Sequence, residues 1–282
     1  MRKIIFIIMF LFIFIVQAQA KIKVTTSLFI LSDIVKQIGG DRVEVSYMIP
    51  PSANPHIFSP TPKSVFEFQN ADLFVGVGYG FEFWFDRLAY LRKGKENLFL
   101  SDFYKHPIQP KNVDGKIVAN PHIWLDLDFI KNVAIDNLTN RLCLMDKKDC
   151  HYFRKNEKKF IEKLSKINAQ INISKDTCIV DLKPAFEYFL RSMGLKSCCV
   201  VLKKGNRIPT VGDLKRVFLN CKCKKGLILY IDNIQFARFL HERLHYKLVR
   251  LNPLGNPTNK KLNSYEKLVE WNIKQLNDAL HD

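Results

Sequence analysis

The sequence predicts an α/β protein: two βα lobes with parallel sheets, joined by a long rigid linker helix, with a ligand cleft between the lobes. Three observations predict it. Short apolar runs alternate with amphipathic stretches of helical spacing, the pattern of βα units feeding a parallel sheet. This alternation comes in two blocks. Between the blocks runs one long helical pattern with a basic outer face.

The elements follow in order. Arg2 and Lys3 precede an unbroken apolar run, Ile4 to Val16, and then Ala18-Gln19-Ala20. A positive start, a short apolar stretch and small residues where a signal peptidase reads make residues 1–20 an export signal. The run is short for a membrane span, and no Cys follows it to carry a lipid. The mature chain is expected from about Lys21, periplasmic where the cell has two membranes, without stable membrane insertion.

The first lobe is expected over residues 21–147. Its strands read as Ile22–Thr26, Val43–Ile49, Leu73–Gly78 and Asn97–Leu100. Leu28–Ile38 and Lys63–Gln69 have helical spacing, and Gly39-Gly40 closes the first of them. Asp128–Met145 reads as a further helix. The linker is expected over residues 148–172. There Phe153, Phe160, Leu164, Ile167 and Ile171 form a narrow apolar stripe, and Lys155, Lys158, Lys159, Lys163 and Lys166 occupy the solvated face. At about 1.5 Å per residue, Asp149 to Ile171 would run roughly 35 Å. The second lobe is expected over residues 173–282, with strands at Thr177–Leu182, Ser197–Leu202, Gly226–Ile231 and Tyr246–Leu251.

Removing residues 1–20 leaves 262 residues and a net charge of +15, the +17 of the whole chain less Arg2 and Lys3. Inside a cell that excess would suggest nucleic acid; export argues against it. All seven cysteines lie in the second half: Cys143, Cys150, Cys178, Cys198, Cys199, Cys221 and Cys223. In an oxidising compartment disulfides are the default. Cys143 and Cys150 flank a short loop and suit each other. Cys198/Cys199 and Cys221/Cys223 lie on two apolar runs, either as further disulfide partners or as a soft-metal thiolate cluster.

The chemistry sits in a doubled tetrapeptide. Asn-Pro-His-Ile occurs at Asn54–Ile57 and again at Asn120–Ile123. Each Pro stiffens the backbone just before an imidazole, which suits a His that must be held in place. Two fixed imidazoles on an exported chain point to metal capture by His56 and His122. His241 and His245, four residues apart on an expected helix, form a second candidate chelate. No His-Glu-x-x-His, Gly-x-Ser-x-Gly or phosphate-cradling Gly loop is present, so the chain is not expected to be an enzyme and no organic cofactor is implied.

Several ordered motifs resemble the solute-binding proteins of zinc/manganese-type ABC importers. "IPPSANPHIFSPTP" (Ile49 to Pro62) is similar to that family's first metal-binding loop, and "ADLFVGVGYGFEFWFDRL" (Ala71 to Leu88) to the strand and glutamate-bearing turn that follow. "NPHIWLDLDF" (Asn120 to Phe129) resembles the second ligand segment. "AFEYFLRSMGL" (Ala185 to Leu195), "LNPLG" (Leu251 to Gly255) and Tyr265…Trp271-Asn272 resemble the second lobe. The resemblance implies a metal held between the lobes by His56, His122 and two second-lobe ligands, little hinge motion, and delivery to a membrane permease by a monomer.

The two second-lobe positions depart from the family pattern. Where it places His or Glu stands Lys183, and where it places an acid near the chain end stands Asn252. An ammonium about 4 Å from a dication is repelled by roughly 8 kcal/mol at an effective dielectric near 20. Manganese favours carboxylate oxygens, which these positions lack, so zinc is the expected metal and Mn(2+) the lesser candidate. Water or a carboxylate from Asp181, Glu187 or Asp232 would complete the site. Asn252 would offer at most a neutral oxygen. The alternative is a repurposed family member that binds an anion or an anionic metal complex through Lys183, or an adhesin or scaffold without a transport role.

Overall fold

Each lobe is built on four parallel strands, and both lobes use one strand order. The structure is a computed structural model describing residues 20–202 and 209–281; the export signal read at residues 1–20 lies outside them but for Ala20. The first sheet runs β2-β1-β3-β4, with β1 Ile22–Leu28, β2 Val43–Ile49, β3 Leu73–Gly76 and β4 Glu96–Phe99. A small antiparallel hairpin follows, β5 Lys111–Val113 and β6 Lys116–Val118. The second sheet runs β10-β9-β7-β8, with β7 Cys178–Asp181, β8 Cys199–Val200, β9 Gly226–Tyr230 and β10 Lys247–Arg250. Within each lobe the first strand pairs with both the second and the third. The chain therefore reverses direction across the sheet between β1 and β3, and again between β7 and β9. Ligands of open α/β sheets bind beyond the carboxyl ends of the strands at such a switch point.

Strand β3 is buried along its whole length, as expected of a strand covered on both faces. It ends at Gly76, two residues before the sequence reading places its end, because Gly78 takes φ 87°. That left-handed turn suits a residue without Cβ, and Ser101 fills the space a side chain would need. Helix α1, Phe29–Gly39, buries Ile30, Leu31, Ile34, Val35 and Ile38 on one face. It stops where Gly40 turns to φ 52° against Tyr152. Helix α2, Pro62–Asn70, begins at a capping box in which Thr61 and Ser64 satisfy each other's backbone N–H groups.

The helix expected from Asp128 is present and continuous to Met145, and it carries a π-turn near its start. A short α-turn, Leu127–Phe129, passes through a π-turn at Ile130–Ala134 into α3, Ile135–Met145. The Cys143–Cys150 disulfide then closes the corner into α4, Cys150–Asn168. Helix α4 buries Phe153, Glu157, Phe160, Leu164 and Ile167. Glu157 fills the gap in the apolar stripe and takes a hydrogen bond from Arg154 at 2.9 Å. The five lysines of the outer face are exposed. The helix stops three residues short of Ile171. Asn277 receives the Asn172 N–H at 3.2 Å and donates to the Gln170 carbonyl at 2.8 Å, replacing the next helical turn.

The second lobe adds α5 Glu187–Ser192, α6 Val211–Asn220, α7 Ile234–Leu244 and α8 Tyr265–His281. One continuous apolar core joins the lobes, running from Val24, Phe74 and Trp124 through Phe160 to Phe186, Leu229 and Leu268. A smaller cluster covers the outer face of the second sheet. Among the described residues, no helix is long and apolar enough to cross a membrane.

A half-buried acid, Asp33, lies where α1 meets α8. Asp33 accepts the Tyr265 N–H at 2.7 Å, and desolvation, with a smaller push from Glu266, raises its carboxyl to about 6. The native state therefore keeps a proton that the unfolded chain releases near 3.8. Stability from this group is full below that value and falls as pH rises toward 6. Asp33→Asn keeps the acceptor oxygen without the charge. It is expected to be more stable than the parent by roughly 1–3 kcal/mol at pH 7.5 and about equal at pH 4. Urea titrations at both pH values check this; an equal gain at both would discard it.

Candidate metal centre

The doubled tetrapeptide has a shared local geometry. In the first copy Asn54 Oδ1 accepts the His56 N–H at 3.1 Å, and in the second Asn120 Oδ1 accepts the His122 N–H at 3.2 Å. An Asx-turn thus presents each imidazole, and the intervening Pro fixes its entry. The surroundings of the two copies differ. Ile57 is 75% exposed on a surface loop beyond β2, whereas Ile123 is fully buried at the lobe junction.

The fold brings the two imidazoles together, with ring centres 5.5 Å apart. Two imidazoles on one tetrahedral zinc, with Zn–N near 2.0 Å, place their ring centres roughly 5 Å apart. The His56 ring sits edge-on to Phe81, and the His122 ring lies beside Trp124. Burial pushes the His122 imidazole down to about 3, with His56 adding to the effect. Burial, and then the Lys183 ammonium, also lower His56. Both shifts favour the neutral imidazole, the form that ligates metal.

The second copy is locked from the facing lobe. Asn120 Oδ1 lies 2.8 Å from His122 Nδ1. Asn120 Nδ2 donates to the Pro184 carbonyl at 2.7 Å and to Glu187 at 2.9 Å. With the amide nitrogen committed to two acceptors, its oxygen must receive the Nδ1 proton, so His122 keeps its lone pair on Nε2. Tyr188 donates to the Asn120 carbonyl, Trp124 donates to the Pro253 carbonyl, and Tyr265 donates to the Trp124 carbonyl. Beside them Arg191 bridges Tyr104 and Asp126. Residues of the second lobe therefore hold the His122 segment still.

The switch point of the second lobe carries Lys183 just beyond β7 and Asp232 just beyond β9. The Lys183 ammonium contacts both Asp232 oxygens at 3.1 and 3.2 Å. The three acids considered as extra ligands are each engaged elsewhere. Asp181 is buried and accepts the Lys183 and Phe186 N–H groups, and burial raises its carboxyl well above the usual range. Glu187 holds Asn120 and Asp232 holds Lys183. Asn252 Oδ1 accepts the N–H groups of Leu254 and Gly255 at 2.9 and 2.8 Å, so both its lone pairs serve its own turn. Among the described residues no cluster of three His, Cys, Asp or Glu side chains is placed to hold a metal. The second candidate pair lies at the end of a helix. His245 leaves the helix at φ 57°, and His241 Nδ1 engages the Tyr246 carbonyl. Sequence reasoning missed Asn120 as the residue that positions His122, although it stands inside the motif that drew attention.

Two parallel-sheet lobes joined by one long helix, with two imidazoles side by side, have the architecture of a two-lobed α/β binding protein. The family model described as zinc-uptake complex component A, periplasmic, matches residues 24–279. The chain belongs to this family, the substrate-binding proteins of metal ABC transporters. The metal ABC transporter substrate-binding lipoprotein FimA of Streptococcus parasanguinis is 30% identical, over 91% of this chain and 88% of its own. The high-affinity zinc uptake system protein ZnuA of Bacillus subtilis is 23% identical, over 91% and 87%. The solved structure of the periplasmic zinc-binding protein TroA from Treponema pallidum superposes with a TM-score of 0.74 at 19% identity, over 93% of this chain and 99% of that one.

Proposed function

We propose that this protein is the exported receptor of a metal ABC importer, a monomer that captures zinc between lobes of residues 21–147 and 173–282 and delivers it to a membrane permease. It carries no catalytic activity and no role with nucleic acid. His56 and His122 are the protein ligands, and water completes a four-coordinate site. The observation that carries this reading is the imidazole pair, 5.5 Å between ring centres, with His122 locked by Asn120. A donor set of two imidazoles suits zinc better than manganese.

Calorimetric titration of the chelator-stripped mature protein with zinc, manganese and copper(I) tests it. Zinc is expected to bind most tightly of the divalent ions, and His56→Ala to abolish that binding. Asn120→Ala removes the partner of Nδ1 together with the Asx-turn acceptor and the contacts to Pro184 and Glu187, and is expected to weaken zinc by about 10- to 100-fold. Equal zinc binding by the parent and His56→Ala would sink the proposal.

The Lys183 ammonium, close enough to His56 to lower its titration, favours a second reading, a repurposed site that takes an anion or an anionic metal complex through Lys183. Heat released by zinc citrate but not by zinc alone, and lost in Lys183→Met, would select this reading over the first.

A further inference from the structure

We infer that Cys198 and Cys221 form a disulfide in the exported protein, beside the bond between Cys178 and Cys223. The two sulfurs lie 2.7 Å apart, inside the contact distance of unbonded sulfur atoms. Both backbones are already fixed. The Cys198 N–H donates to the Ile179 carbonyl at 2.8 Å, which places Cys198 just ahead of β8. Cys221 ends α6 with its N–H on the Val217 carbonyl at 2.9 Å. The loop Cys221-Lys222-Cys223 then turns one sulfur toward each of two neighbouring strands. Cys223 reaches Cys178 at the start of β7, and Cys221 reaches the residue preceding β8. Tyr246 pins this loop by hydrogen bonds to both the N–H and the carbonyl of Cys223. The strand being fastened, β8, is two residues long and lies at the edge of the sheet. A bond to Cys221 would tie that short edge strand to α6 across 23 positions of sequence.

The environments of the two thiols give them different roles. Cys198 is half-buried and Cys221 is buried. The hydrogen bond from Cys221 lowers Cys198, and the same contact raises Cys221. The Cys198 thiolate attacks a disulfide donor, such as an oxidised oxidoreductase or glutathione disulfide, forming a mixed disulfide and releasing one thiolate. Cys221 loses its proton and attacks Cys198 Sγ, closing the new S–S bond and releasing the second donor thiolate. Two electrons and two protons leave the protein, and the donor is reduced by the same two electrons.

This pairing rests on export and is independent of the metal. The test uses the full mature chain isolated from an oxidising compartment, denatured in the presence of an alkylating agent. Seven cysteines with the two bonds Cys143–Cys150 and Cys178–Cys223 would leave three alkylated thiols; the further bond leaves one. Non-reducing peptide mapping should recover the segment 197–203 joined to the segment 217–222. Because Cys199 also contacts Cys221, Cys199→Ser should retain the linkage and Cys198→Ser should lose it. In the reduced protein, Cys221→Ser should trap one glutathione on Cys198 when treated with glutathione disulfide. Three alkylated thiols in the exported parent, or a linkage that persists in Cys198→Ser, overturns the inference.

Discussion

Replacing Lys183 by histidine is expected to tighten zinc binding by about two to four orders of magnitude, or roughly 3–5 kcal/mol. The ammonium is close enough to His56 to lower its pKa, so a dication between the two imidazoles would meet the same positive charge. The full repulsion of roughly 8 kcal/mol at about 4 Å is not recovered, because Asp232 already offsets the lysine across contacts of 3.1 and 3.2 Å. Histidine removes the cation, adds a third imidazole and releases Asp232, whose carboxylate is two-thirds exposed. Lys183→Met separates these effects, since it removes the charge and adds no ligand. It should recover part of the gain and move the His56 titration upward, toward its ordinary value, in histidine NMR spectra. If zinc affinity in both variants stays within threefold of the parent, Lys183 does not face the metal and this account of the second lobe is wrong.

The sequence carried the framework because the framework is local. Apolar alternation marked all eight strands of the two parallel sheets, and the stripe from Phe153 to Ile167 marked the linking helix, since both patterns repeat over a few residues. His56 and His122 were legible through their neighbours: Asn and Pro build the turn that presents each ring. What surrounds those rings was not legible. Asn120 meets Glu187 across 67 residues and Lys183 meets Asp232 across 49, and no short-range pattern encodes such pairings. Asp181, Glu187 and Asp232 looked alike as acids near the site, yet each has a different occupation. Asp181 serves its own turn, Glu187 orients an amide, and Asp232 neutralises a lysine. The cysteines divide in the same way. Cys143 and Cys150 face each other across one corner, whereas Cys178 finds Cys223 only because β7 and β9 are neighbours. Cys221 and Cys223 lie on the connection before β9.

Phe160→Ala is expected to destabilise the whole protein by about 3–5 kcal/mol, the range for a large aromatic removed from a close-packed interior. Phe160 is 1% exposed in the middle of α4 and packs edge-on against Tyr265 of α8, with ring centres 6.3 Å apart. Tyr265 in turn donates its hydroxyl to the Trp124 carbonyl and its N–H to Asp33. The cavity would open at the point where the linking helix, the last helix and the His122 segment meet. Because one apolar core runs through both lobes, the loss should appear as a single cooperative unfolding transition displaced to lower urea, seen alike by tryptophan fluorescence and circular dichroism. Two separated transitions would mean that the lobes fold as independent units and that α4 merely connects them. Zinc affinity should change far less than stability, since Asn120, Glu187 and Tyr188 hold His122 without Phe160. A loss below about 1 kcal/mol would place α4 on the surface of the fold rather than within it. The stiffness between the lobes would then need another source, and the Arg191–Tyr104–Asp126 bridge would be the contact to remove next.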